Sequence, residues 1–155
     1  MTQLTAHFSL AELTETSHRT LGNTCPPELL PNLVDAAAML ERVRAALTAY
    51  KGFEVAIYVT SGYRSPAVNA AVGGSPHSDH IRAWAVDFKA PDFGTPYQVA
   101  TFLAPRINEL GIGQLILEFD RWVHVSIKRP DKQVNSIITY RVAGEAEVGI
   151  VQVAA

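Results

Sequence analysis

A chain of 155 residues, 48% of them hydrophobic, carries enough apolar side chain to bury a core without covalent staples, and its size suits a single domain over residues 1–155. Its formal charge of -2, with no long basic run or arginine-rich helix, argues against a nucleic-acid surface or a polybasic membrane anchor and leaves a small molecule or peptide as the expected partner. Cys25 is the only cysteine, so an intramolecular disulfide and a paired-thiolate zinc site are both excluded by count.

The first residues, Met1-Thr2-Gln3-Leu4-Thr5-Ala6-His7, lack the basic start and apolar stretch of a signal peptide. No run approaches the roughly 20 apolar residues that span a bilayer. The expectation is a chain made soluble in the cytoplasm, without membrane insertion, and released by another agent if its substrate lies outside. Ser9-Leu10-Ala11-Glu12 fits a capping box, so a short helix should begin there. Pro26-Pro27-Glu28 opens a longer one, with Leu30, Leu33, Val34, Ala37, Leu40, Val43 and Leu47 recurring at helical spacing as far as Tyr50, before Lys51-Gly52 ends it.

Residues 53–60 are rich in Val, Ile, Tyr and Phe and read as a strand running into the loop Ser61-Gly62-Tyr63-Arg64-Ser65-Pro66. A short helix over 66–71 is broken by Gly73-Gly74-Ser75-Pro76. Residues 83–88 form a second strand, 97–110 a helix disturbed by Pro105, and 114–119 with 122–127 a hairpin around Asp120-Arg121. Residues 136–142 add an edge strand, and the tail after Gly144 has no clear pattern. The class is α+β, a small, mainly antiparallel sheet with the N-terminal helices packed on one side.

The chemistry concentrates in Ser78-Asp79-His80-Ile81-Arg82-Ala83-Trp84-Ala85-Val86-Asp87 and, downstream, in Trp122-Val123-His124-Val125-Ser126. A catalytic zinc takes three N or O ligands and keeps one position for water, and His80, Asp87 and His124 would supply that set. Strand alternation puts Ala83, Ala85 and Asp87 on one face, with His124 on a neighbouring strand. A carboxylate among Ala, Val and Phe needs a compensating charge, which a metal would provide. The plainer readings are histidines that only hydrogen-bond and an Asp87 paired with Arg82 or Arg64.

From Phe8 to about Ile127 the sequence resembles the M15 group of zinc D-Ala-D-Ala carboxypeptidases and phage endolysins. The signature Ser-x-His-x-x-Gly-x-Ala-x-Asp is matched by Ser78, His80, Ala85 and Asp87, and Trp-x-His by Trp122 and His124. Ser61-Gly62-Tyr63-Arg64-Ser65-Pro66 and Asn69 are also typical of the group. One departure stands: the signature glycine is Ala83, where a single added methyl tightens close backbone packing. The resemblance implies a hedgehog/DD-peptidase-like fold, a zinc cofactor on His80, Asp87 and His124, and hydrolysis of amide bonds in the peptide stem of peptidoglycan. It also makes His77 a variable loop position; His7 and His18 have no partner spacing and read as solvent-facing.

Relatives often carry an acid three residues before the final histidine, but that position is Arg121 here, which cannot accept a proton. Glu118 and Asp120 are the candidates for the general base, and Glu118 is preferred because it lies in the apolar run Leu115-Ile116-Leu117-Glu118-Phe119, where burial raises its pKa. Its plainer role is to pair with Arg121 or Arg64, and Asp120 reads as a turn residue. The resemblance gives Arg64 a grip on a substrate carboxylate, against a structural salt bridge to Asp87 or Glu118. Tyr63, Ser78 and Asn69 are candidate substrate contacts that could equally satisfy only the loop backbone. Trp84 and Trp122 read as packing around the site. With no leader recognised, an endolysin-type endopeptidase is expected ahead of an exported D-Ala-D-Ala carboxypeptidase. A zinc-holding module of the same fold that binds without catalysing is the remaining alternative.

Overall fold

A computed structural model describes residues 2–129, 131, 135–142 and 144–152. Helix α1 (Leu10–Leu13) starts where the capping box places it, with the Ser9 hydroxyl accepting from the Glu12 N–H at 3.2 Å and the Glu12 carboxylate accepting from the Ser9 N–H at 3.1 Å. A short 3-10 turn (Pro27–Leu29) leads into α2 (Leu30–Lys51), which Gly52 ends in a left-handed conformation that glycine adopts without a steric penalty. Its Leu33, Ala36, Ala37, Leu40, Val43 and Leu47 are buried.

The strand expected over 53–60 is shorter. β1 is Tyr58–Ser61, and the preceding extended segment is tied to α2 instead, where the Val55 N–H donates to the Thr48 hydroxyl at 3.0 Å. Its partner strand β2 (Ala85–Lys89) supplies nothing further along: Tyr58 pairs with Lys89, after which Ala90-Pro91 leaves the ladder. Helix α3 (Pro66–Ala71) is capped by Ser65, whose hydroxyl accepts from the Val68 N–H. The helix over 97–110 is split into α4 (Pro96–Leu103) and α5 (Ile107–Leu110) by a 3-10 turn at Ala104–Arg106, because Pro105 has no N–H to continue the ladder.

The hairpin forms from β3 (Ile112–Glu118) and β4 (Trp122–Ile127). Its turn lies one residue earlier than the sequence suggests. Phe119 and Asp120 take the two positive-φ central positions, and the Arg121 N–H closes the turn on the Glu118 carbonyl at 2.9 Å. β5 (Ser136–Val142) is not an edge strand as expected, because the unpatterned tail supplies β6 (Glu145–Val148) to cover it. The sheet runs β1-β2-β4-β3-β5-β6, antiparallel throughout except for the parallel β3–β5 pair. The architecture is α+β.

Strand alternation divides the sheet. Val86 and Phe88 of β2, Val123 and Val125 of β4, and Leu115 and Leu117 of β3 join the buried residues of α2 in one apolar core. Their neighbours in sequence, Asp87, His124, Ile116 and Glu118, face the other way. No helix among the described residues is long and apolar enough to cross a membrane.

Candidate metal centre and groove

Asp87 and His124 are direct cross-strand partners on β2 and β4, which places their side chains side by side on the face away from α2. His80 comes from a different kind of element, a 3-10 turn at Asp79–Arg82 capped by the Ser78 hydroxyl, which accepts from the His80 N–H at 3.2 Å. Ala83 is not part of β2. It ends this turn with φ 61° and ψ 28°, and only Ala85 and Asp87 share the strand face. The signature glycine is thus explained by a left-handed backbone and not by close packing, and alanine occupies that conformation under strain.

The three side chains are buried, and one ligand atom from each lies within 4.8 Å of the others. Their hydrogen bonds orient them toward one another. His80 Nδ1 lies 2.7 Å from the Gly62 carbonyl, which can only accept, so Nδ1 carries the proton and Nε2 presents a lone pair inward. That Nε2 is buried and has no hydrogen-bond partner, and Asp87 Oδ1, another lone-pair atom, stands 3.3 Å away. A cation between them resolves the opposition of two acceptors.

His124 is held at both nitrogens, by Asp87 Oδ1 at 2.9 Å from Nδ1 and by the Ser126 hydroxyl at 2.8 Å from Nε2. Ser126 can donate or accept, so the same geometry serves the tautomer in which Nδ1 bears the inward lone pair. Two imidazoles and one carboxylate with orienting partners behind them are the donor set of a zinc-type site, and the residues fit such an ion. Gly62 is required behind His80, since a Cβ there would collide with the Leu13 carbonyl, which accepts the Tyr63 N–H.

Electrostatics follow from this packing. Burial alone would raise the Asp87 pKa, but the charge of His80 and the hydrogen bond from His124 outweigh it and hold the carboxyl well below the usual range. Burial pushes His80 down. For His124 burial acts in the same direction, yet the bond and charge of Asp87, with Glu118 beyond, carry it upward. Arg64 closes the far side, donating to Asp87 Oδ2 at 3.1 Å, to the Ser61 hydroxyl at 3.0 Å and to Asn69 Oδ1 at 3.4 Å. Of the two partners considered for Asp87, the structure selects Arg64, while the Arg82 guanidinium lies over Trp84.

Glu118 is beside the cluster, 3.8 Å from His124 Nδ1, and among the described residues it pairs with neither Arg121 nor Arg64. Burial and then the Asp87 charge raise its pKa, against smaller opposing effects of His124 and Arg64. An open groove of about 850 Å³ runs over these residues; Glu118, Arg64 and Ser78 line it, with Ile116, Trp122 and Tyr140 on its β-sheet side. Asn69 is buried, with its amide nitrogen donating to the Ser75 carbonyl at 2.9 Å, so it ties the glycine-rich loop to Arg64. The Tyr63 ring is packed in the apolar core, where burial raises its hydroxyl pKa. His77 is exposed at the groove edge, whereas His7 has a partner the sequence spacing did not reveal, Glu41 at 2.7 Å from Nδ1.

Two supporting residues escaped the sequence reading. Ser126 was legible, because it follows His124 by two positions in a strand and so shares its face. Arg129 was not: its guanidinium stacks 3.1 Å over the Trp84 ring and lies 3.7 Å from Asp79, bracing the turn that carries His80 through a contact 45 residues away in sequence.

Fold and site together define an α+β protein with a buried His/Asp/His donor set at the floor of a groove. The sequence model described as peptidase M15 matches residues 6–126, which include every member of that set, and the chain belongs to the peptidase M15 family. No curated protein matches it. Membership makes it a peptidase by family and points to a peptide-containing substrate.

Proposed function

We propose that the chain is a zinc-dependent peptidase of the peptidoglycan stem peptide, acting as a single M15-like domain and cutting within the peptide in the manner of a phage or prophage endolysin. The observation that carries this reading is the inward-facing donor set of His80, Asp87 and His124, with Glu118 beside it in an open groove. Zinc held by these three side chains would polarise the scissile carbonyl and make water a nucleophile near neutral pH. Arg64 neutralises and orients Asp87 through Oδ2. Glu118, poised by its raised pKa, takes the proton of the attacking water and delivers it to the leaving amine. Asn69 and Ser78 fix the loops that carry Arg64 and His80, and Ser78 borders the substrate.

The engagement of Arg64 favours internal cleavage over removal of a terminal D-Ala. Arg64 is the single arginine or lysine among the described residues lining the groove, and it already serves Asp87, Ser61 and Asn69. A carboxypeptidase needs an available cation for the terminal carboxylate. Digestion of purified peptidoglycan with the zinc-loaded protein, followed by mass spectrometry, tests the reading. A chelator-sensitive release of stem peptide is expected. Loss of a terminal alanine alone would mark a D-Ala-D-Ala carboxypeptidase, and absence of any product from several wall chemistries would mark a zinc-holding module that does not catalyse.

A further inference from the structure

Strands β5 and β6 lie beyond residue 126, where the family match ends, so the match assigns no role to what they bring to the groove. β5 pairs in parallel with β3, and the register sets Tyr140 opposite Glu118. Paired residues project from the same face of a sheet, so Tyr140 stands on the face that carries Glu118, Ile116, His124 and Asp87. Its backbone is fixed by the hairpin turn, since the Phe119 N–H donates to the Tyr140 carbonyl at 2.8 Å. The side chain is half-buried and lines the groove.

Four ring-bearing residues other than histidine line that groove, and three are already committed. Tyr63 is buried in the core, and Phe119 and Trp122 meet edge to face at 5.7 Å. Among the described residues the Tyr140 ring meets no other ring and its hydroxyl has no hydrogen-bond partner. Tyrosine offers an apolar body with a polar tip and few rotatable bonds, which makes it an effective contact for a peptide lying across a half-wet surface.

We propose that Tyr140 is a substrate-binding residue, packing its ring against the peptide on the Glu118 side of the scissile bond and donating its hydroxyl to a peptide carbonyl there. The inference rests on the reading of the groove as a peptide-cleaving site. It is tested by titrating an intact stem peptide into zinc-loaded Glu118→Gln protein, with and without Tyr140→Leu, so that affinity is read without turnover. Tyr140→Leu is expected to weaken binding about tenfold and, in the otherwise unaltered enzyme, to raise KM by a similar factor with little change in kcat. Tyr140→Phe should recover most of the loss.

Because a substitution can loosen β5, the unaltered protein gives a second readout: the ring resonances of labelled Tyr140 should shift when peptide is added. Unchanged affinity in Tyr140→Leu, a silent Tyr140 resonance, or no stem-peptide binding at all would each overturn the inference. Peptide that binds, depends on Tyr140 and is never cleaved would keep the inference and remove the peptidase reading.

Discussion

Asp87 and Phe88 are consecutive residues of one strand, 3% and 0% exposed, yet they belong to opposite regions of the molecule. Phe88 points into the core beneath α2, where burial of apolar surface is itself favourable. Asp87 points into the polar cluster, where burial is costly unless charge and hydrogen bonds compensate, and here Arg64, His80 and His124 do so. Equal burial therefore has opposite meanings on the two faces: one stores stability, the other carries a desolvation cost that neighbouring charges and hydrogen bonds offset.

The sharpest separation of the faces comes from Glu118→Gln. It should lower kcat by about 10²–10⁴-fold, the usual worth of a general base, while zinc content stays at the level of the parent. Burial and the Asp87 charge raise the Glu118 pKa, and the ionised form is the one that accepts a proton. Activity should therefore fall as pH drops through a value above the ordinary carboxylate range. Turnover unchanged in Glu118→Gln would remove Glu118 from the role of base.

On the apolar face, Phe88→Ala should cost about 3–5 kcal/mol in denaturant unfolding through lost burial and a residual cavity, with one zinc still bound below the melting transition. Asp87→Ala reverses the pattern. Zinc at 100 times its dissociation constant should stabilise the parent by about 2.7 kcal/mol, and that increment should vanish in Asp87→Ala. A zinc-dependent shift in melting temperature that survives the loss of Asp87 would break the assignment of this carboxylate as a ligand.

The sequence already exposed much of this division. Ser9 and Glu12 announced α1, Pro66 marked the start of α3, and the turn between β3 and β4 was misjudged by one residue, because signals of this kind act over a few neighbouring positions. His80, Asp87 and His124 could be picked out by residue type and order, but their convergence depends on the pairing of β2 with β4. What stayed hidden was non-local. Val55 and Ile57 have strand composition but are buried outside the ladder, and β6, Glu145-Ala146-Glu147-Val148, alternates over only four residues and holds a single β-branched side chain, so β5 looked like an edge. The attachment of Arg64 to Asp87 spans 23 positions and was one of several partners the sequence allowed.

The smallest effect expected is at Ala83, which joins the two faces: its backbone turns the chain from His80 into β2, and its methyl is fully buried in the core. A left-handed alanine costs about 1–2 kcal/mol relative to the right-handed region. Against that, burying one methyl contributes about 0.8 kcal/mol. Alanine also has a less disordered unfolded chain than glycine, worth about 0.4–1 kcal/mol. These terms nearly cancel, so Ala83→Gly should change unfolding free energy by less than about 1 kcal/mol and leave zinc affinity close to that of the parent. Ala83→Val should fail where glycine does not, because a β-branched side chain is poorly tolerated at positive φ and two further methyl groups must enter a filled core. Zinc affinity in Ala83→Val then decides whether this turn only joins β2 to the loop or also sets the position of His80: a protein that still folds but binds zinc more weakly would establish the second.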